Sequence, residues 1–142
     1  MARYATRLGR DPVATYRQID VVGRTAEADP HALVALLYDE LIHALRTLAW
    51  AAEHRQFKVK SDKATRATAI LFALEAGLDF DQGGDVARTL ARLYHGARQA
   101  VIDASIGHDP APFLDIAARL EEIAEAWRSM RGGGALSGTS GA

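Results

Sequence analysis

The stretch Asp29-Pro30-His31-Ala32-Leu33-Val34-Ala35-Leu36-Leu37-Tyr38-Asp39-Glu40-Leu41 decides the fold of this chain. Aspartate is a strong N-cap residue, because its carboxylate accepts hydrogen bonds from the unpaired backbone N–H groups of a helix's first turn. Proline suits the next position, where a missing N–H group is no loss. The residues that follow are unusually apolar for the start of a helix in a soluble protein. We therefore predict a long helix that begins at Pro30 and packs within a bundle.

The composition of the 142 residues is that of one soluble globular domain, with 49% apolar and 25% charged residues. The formal net charge of −1 argues against electrostatic capture of nucleic acid. The three lysines lie together at Lys58, Lys60 and Lys63. The absence of cysteine excludes disulfides, thiolate catalysis and cysteine-based zinc sites. No apolar run has the length of a signal-peptide core or a membrane span, so we expect a cytoplasmic protein.

Four segments carry apolar residues at alternating spacings of three and four, the pattern of a helix with one buried face. In chain order they run from Pro30 to about His54, from a cap at Ser61 to about Leu78, from the turn Asp79–Asp85 to Gly107, and from Asp109-Pro110 to residue 131. The predicted core positions are Leu33, Leu37, Leu41, Ala44, Leu48 and Ala51; Ala67, Ile70, Leu71, Leu74 and Leu78; Val86, Leu90, Leu93, Ala97, Val101 and Ala104; and Phe113, Ile116, Leu120, Ile123, Trp127 and Met130.

These segments predict an all-α protein, an antiparallel up-down four-helix bundle over residues 29–131. Residues 1–28 are weakly patterned and are expected to form an N-terminal arm, with a short helix around residues 13–19 as one option. Residues 132–142 are rich in glycine, serine and alanine, so we expect a disordered tail. Apolar residues beside the main stripes, such as Phe72, Tyr94 and Ile102, have two interpretations: a thicker core, or a groove for a partner.

Patterns for catalysis or metal binding are incomplete. Glu40 and His43 have the spacing of half a di-iron carboxylate site, but the second Glu-x-x-His that such a bundle needs does not occur. The Gly132–Gly134 run follows no strand, so it does not form a phosphate-binding turn. We expect no metal, no cofactor and no enzymatic activity.

A histidine phosphotransfer bundle is the alternative function from another class. His43-Ala44-Leu45-Arg46-Thr47 is similar to the H-x-L-K-G setting of a phosphorylated histidine. Thr47 stands where that pattern has glycine, and its side chain would crowd the imidazole. This alternative predicts phosphate on His43 after incubation with a phosphodonor.

Seven short motifs resemble one known family. They are Tyr16-Arg17-Gln18-Ile19-Asp20-Val21, Asp29-Pro30-His31-x-Leu33, Leu37-Tyr38-Asp39, Ala76-Gly77-Leu78-Asp79, Gly83-Gly84-Asp85-Val86-Ala87, Leu90-x-x-Leu93-Tyr94 and Ala126-Trp127. In this order and spacing, over roughly residues 13–130, they resemble FliS, the family of flagellar secretion chaperones for flagellin. The chain departs from the family pattern at Asp29, Glu40, His95-Gly96 and Ser105.

The resemblance implies a non-enzymatic, cytoplasmic chaperone that binds the disordered C-terminal segment of flagellin before type III secretion. It also implies room for a second protein partner, a flagellar regulator or a co-chaperone, and neither nucleic-acid binding nor membrane insertion. The predicted partner-binding residues are Val13, Tyr16 and Ile19 of the arm, Ile70, Leu74 and Leu78 of the second helix, and Leu90, Leu93 and Tyr94 of the third. A static packed arm and an arm that covers a groove until flagellin arrives are both compatible with the sequence.

Overall fold

The computed structural model describes residues 30–140, with side chains described for residues 30–130, and this part of the chain forms four helices. They are α1 (Pro30–Glu53), α2 (Phe57–Ala76), α3 (Phe80–Ala104) and α4 (Ala111–Ser140). Short connections make successive helices antiparallel; α1 packs against α2 and α4, and α3 lies diagonally opposite α1. The predicted all-α four-helix bundle is confirmed. The predicted cap at Asp29 and the predicted arm lie outside the described residues.

Helix α1 supplies the widest part of the hydrophobic core. All six of its predicted core positions are buried, and Val34, Tyr38, Ile42 and Leu45 beside them are buried as well. A helix that packs against two neighbours needs an apolar face wider than a single stripe. The apolar start of α1 is therefore explained by its central place in the bundle.

The α1–α2 connection is shorter than the sequence predicts. The N–H of Gln56 donates to Ala51 O at 2.9 Å, and the N–H of Arg55 donates to Ala52 O at 3.4 Å. These two bonds form a Schellman closure, which reverses the chain within three residues. Helix α2 therefore begins at Phe57, and the predicted cap at Ser61 is wrong because that residue lies inside the helix.

The first half of α3 buries residues next to the predicted stripe, while Ala97 and Val101 farther along the helix are buried as predicted. Ala87 and Tyr94 are buried, whereas Val86 is 67% exposed, so its assignment to the core is wrong. One residue turns a helix by about 100°, which moves a side chain from the centre of a face to its flank. The start of α3 contributes to this register, because Gly84 has a φ of 52° that interrupts the helix.

Two aspartates cap α3 and α4. The Asp79 carboxylate accepts hydrogen bonds from the N–H groups of Asp81 and Gln82, both at 3.1 Å. Asp109 accepts from the N–H of Ala111 at 2.9 Å, which confirms the predicted aspartate–proline start of the fourth helix. In both places a carboxylate satisfies N–H groups that have no partner within the helix.

Helix α4 packs tightly only in its first half. Phe113, Ile116 and Leu120 are buried as predicted, Trp127 is half-buried, and Met130 is 69% exposed, so its core assignment is wrong. The helix continues to Ser140, beyond the predicted end at residue 131. The division into arm, bundle and tail stays a prediction.

Ion pairs join three of the four helix interfaces. Arg66 pairs with Glu40 between α2 and α1, with an Nη2–Oε1 distance of 2.5 Å. Arg98 Nη1 lies 2.7 Å from Glu75 Oε1 between α3 and α2. Arg46 pairs with Glu121 between α1 and α4 at 3.0 Å. Among residues 30–130, no ion pair crosses the α3–α4 interface, which is also the most loosely packed of the four.

Candidate functional site

An apolar groove of about 260 Å³ opens at the end of the bundle where α1 and α3 begin. We call it the end groove. It is lined by Pro30, His31, Val34, Leu78, Asp79, Gln82, Gly83, Val86, Ala87, Leu90, Tyr94 and Trp127. These residues come from α1, the α2–α3 turn, α3 and the second half of α4. The groove therefore lies where the loosely packed α3–α4 interface meets the end of the bundle.

The start of α3 shapes one wall of the end groove. A β-carbon on Gly83 would lie 2.8 Å from the Ala87 Cβ, so a larger residue there would displace the helix. Gly84 has a left-handed φ, which residues with a β-carbon rarely adopt. The glycine pair thus permits a close approach and an interruption of the helix at the start of α3.

The rim of the end groove carries large apolar side chains that the solvent reaches. Val86 is mostly exposed, and Leu90 and Trp127 are half-buried. The Trp127 ring lies against the imidazole of His31, with ring centroids 5.3 Å apart and planes tilted by 51°. An aromatic anchor beside branched aliphatic side chains is typical of a surface that buries a partner's apolar residues.

Tyr94 lines the end groove and contacts Tyr38, which lies in the core, so that the two tyrosines join α1 to α3 across the bundle. The Tyr38 and Tyr94 hydroxyl oxygens are 2.5 Å apart, and the two rings meet edge to face with centroids 6.3 Å apart. Burial raises the pKa of Tyr38 to about 12, although its hydrogen bond with Tyr94 opposes the rise. The Tyr38 hydroxyl therefore stays neutral at physiological pH, and the pair forms a polar contact within an otherwise apolar core.

The structure separates the predicted binding residues of α2 and α3 into two groups. Leu78, Leu90 and Tyr94 line the end groove, and Leu93 lies half-buried on α3. Ile70 and Leu74 are fully buried in the core, where they support the groove from below. Val13, Tyr16 and Ile19 lie outside the described residues. The partner-binding role of all nine stays a prediction.

Several groove residues are not identified as binding candidates by the sequence pattern. Val86 and Trp127 matched the core pattern of their helices, so periodicity assigned them to the interior. His31 and Val34 follow the aspartate–proline start of α1, and that pattern indicates only a helix packed within the bundle. The sequence does contain one signal for Val86 and Trp127 as functional residues: both lie in motifs that match the family.

Glu40 and His43, which have the spacing of half a metal site, and of which His43 also lies in the phosphotransfer-like motif, point in different directions. The Glu40 carboxylate accepts from Arg66 of α2, at 2.9 Å from Nε, while His43 is exposed on the outside of α1. Thr47, one turn after His43, is half-buried. No group of three histidine, aspartate or glutamate side chains within the described residues is placed to hold a metal ion. The same part of the chain contains no helix with the length and apolar character of a membrane span.

The described residues thus define an all-α four-helix bundle with an open apolar groove at one end. The family model described as flagellar protein FliS matches residues 12–133. The chain therefore belongs to the FliS family of flagellar secretion chaperones.

Curated relatives agree with this assignment. The flagellar secretion chaperone FliS of Salmonella typhimurium is 29% identical over 119 residues, which cover 83% of this chain and 88% of that protein. The flagellar secretion chaperone FliSB of Pseudomonas aeruginosa is 28% identical over 112 residues, or 79% of this chain and 89% of the relative. FliS of Vibrio cholerae is 27% identical over 118 residues, or 83% and 87% of the two chains.

Proposed function

We propose that this protein is a cytoplasmic export chaperone that binds the C-terminal segment of flagellin in its end groove before type III secretion. It acts by binding and not by catalysis. The observation that carries the proposal is an open apolar groove, with Val86, Leu90 and Trp127 at its rim, in a member of a flagellar secretion chaperone family. A flagellar export substrate is the partner that family membership implies.

The mechanism follows from the chemistry of the groove. A disordered amphipathic segment folds as a helix when its apolar face lies in an apolar groove. The residues that it buries are then not free to join other subunits, so early polymerisation is suppressed. Ordering the segment costs a few kcal/mol, on the order of 2–5. This cost keeps the affinity moderate, which allows release of the client at the export apparatus.

Calorimetric titration tests the proposal. A synthetic peptide with the sequence of the C-terminal segment of flagellin is titrated into the full chain at several temperatures. We expect one binding event with a negative heat-capacity change, because apolar surface is buried. A peptide of equal length from the middle of flagellin is the control and should not bind. Equal binding of both peptides, or of neither, would contradict the proposal.

The position of the predicted arm supports a second role for residues 1–28. Pro30 lines the end groove, so the chain that precedes it joins the bundle at the groove. The eleven peptide links from Ile19 to Pro30 span at most about 40 Å when extended, which is ample to reach any part of the groove. We propose that apolar residues of the arm, Val13, Tyr16 and Ile19, cover the groove in the free protein.

Deletion of residues 1–20 tests this role of the arm. A covering arm must be displaced, so its removal should raise the affinity for the flagellin segment and make the heat-capacity change of binding more negative. The measurement is the same titration, with full-length chain as the reference. An affinity and a heat-capacity change equal to those of the full chain would exclude displacement.

A further inference from the structure

A second surface lies at the opposite end of the bundle, where the α1–α2 and α3–α4 turns meet. Phe57 and His108 are in ring contact there, with centroids 6.0 Å apart. The Lys60 ammonium donates to Gly107 O at 3.0 Å and lies 5.7 Å from the centre of the Phe57 ring. We call this surface the basic end; it comprises Arg55, Phe57, Lys58, Lys60, Ile106 and His108.

The basic end exposes two large apolar side chains. Phe57 is 59% exposed, and Ile106 is 85% exposed. Neither belongs to the buried core of the bundle. Exposed aromatic and aliphatic residues on contacting turns form a small apolar patch, and such patches are typical of sites that bind another molecule.

The backbone at Arg55 indicates that its side chain has a role. Arg55 has a φ of 55°, in the left-handed region that glycine ordinarily occupies in a Schellman closure. Within the described residues, its guanidinium has no ion-pair partner that would explain an arginine at this position. An arginine in this conformation without a local ion-pair partner motivates a binding role for its side chain.

The electrostatic environment of the basic end is positive. Burial lowers the pKa of His108, and the charges of Arg55 and Lys60 lower it further. The N-cap residue of α2, Gln56, makes no side-chain capping bond, and the first turn of α2 has no acidic residue. The positive end of the α2 dipole lies here, and the negative ends of the α1 and α3 dipoles lie at the same end of the bundle, so the local positive charge comes from the two side chains.

We propose that the basic end is a docking site for an acidic segment of another protein that carries apolar residues among its carboxylates. The acidic residues would pair with Arg55 and Lys60, and the apolar ones would pack on Phe57 and Ile106; the Lys58 ammonium already lies 3.4 Å from the Asp62 carboxylate. A flat anionic membrane fits less well, because it would also meet the carboxylates of Asp62, Asp103 and Asp109 in and beside the same turns. A narrow peptide can pass between them.

The site is independent of the end groove. Helix α1 has 24 residues, which at about 1.5 Å per residue separate the two ends of the bundle by roughly 36 Å. A partner at the basic end therefore leaves the end groove open. The inference does not depend on the identity of the client, since it rests on other residues.

Fluorescence anisotropy with a designed probe tests the docking site. The probe is a labelled peptide of roughly 16 residues, glutamate with leucine at helical spacing, and its counterpart has glutamine in place of glutamate. We expect the full chain to bind the acidic probe at least tenfold more tightly than the glutamine counterpart. Raising the salt from about 50 to 300 mM should weaken the binding severalfold. Equal affinity for the two peptides would overturn the proposal.

Three variants separate docking from folding. Arg55→Gly should keep or raise the melting temperature, because glycine suits the left-handed backbone, and should weaken probe binding severalfold. Ile106→Asp should abolish probe binding, while Val86→Asp at the other end should bind it like wild type. Unchanged binding by Arg55→Gly and Ile106→Asp would overturn the proposal. The proposal would also be overturned if the chain bound vesicles with about one-third phosphatidylglycerol in preference to the probe and the same two variants abolished that binding. Such a result would identify a membrane as the partner.

Discussion

Replacing Val86 by aspartate is expected to weaken binding of the C-terminal flagellin segment by about 30-fold, equivalent to roughly 2 kcal/mol. Val86 stands at the rim of the end groove and is two-thirds exposed, so the free protein tolerates a carboxylate there. In the complex the same carboxylate would be covered by apolar residues of the client, and its desolvation opposes binding. Calorimetric titration of the full-length variant gives the affinity, and its melting temperature shows that the fold is kept.

Ile106→Asp is the matched control for this experiment. It places the same charge on an even more exposed aliphatic residue at the opposite end of the bundle. We expect its affinity for the flagellin segment to equal that of the wild-type chain. An equal loss in both variants would indicate a general effect of added charge. No loss with Val86→Asp would show that the client binds elsewhere.

Replacing Tyr94 by alanine is expected to destabilise the fold by about 4 kcal/mol, because the change empties a large volume beneath the end groove. It also leaves the buried hydroxyl of Tyr38 without the 2.5 Å hydrogen bond that joins α1 to α3. In a domain of this size the loss corresponds to a fall in melting temperature of roughly 15 °C. Urea and thermal unfolding measure the effect.

Tyr94→Phe separates the hydroxyl from the ring. It keeps the packing but leaves Tyr38 with an unsatisfied hydroxyl, at a cost of about 1–3 kcal/mol. The double variant Tyr38→Phe with Tyr94→Phe should lose less than the sum of the two single variants, since both polar groups are then absent. If Tyr94→Ala unfolds like wild type and loses only client binding, Tyr94 is a contact residue and not part of the core.

The apolar stripe of α1 shows which features of the fold can be predicted from the sequence. Every predicted position of that stripe is buried, because α1 has neighbours on both sides and its apolar face is wide. A shift of one residue would still leave most of these positions in the core. The sequence also predicts the aspartate start of α4, because a capping bond needs only residues close in the chain.

Helix α3 shows where the prediction fails. Val86 and Ala87, and likewise Leu93 and Tyr94, are adjacent in the sequence, and both registers satisfy a three-four spacing. The choice between them depends on the Gly84 interruption and on the ring of Tyr38 across the core. Because those constraints come from other parts of the chain, periodicity within α3 does not contain them. The same limit explains the wrong core assignment of Met130.

What the amino-acid sequence alone determined is the class of fold, the number of helices in the described chain, the aspartate cap of α4 and the family. These follow from spacing, local hydrogen bonding and short motifs, all of which act over a few residues. Only the tertiary structure decided where the bundle stays open and which residues line that opening. The end groove exists because α3 and α4 pack loosely at one end, and the basic end exists because two distant turns meet. Both depend on how whole helices lie against one another, which no local pattern specifies.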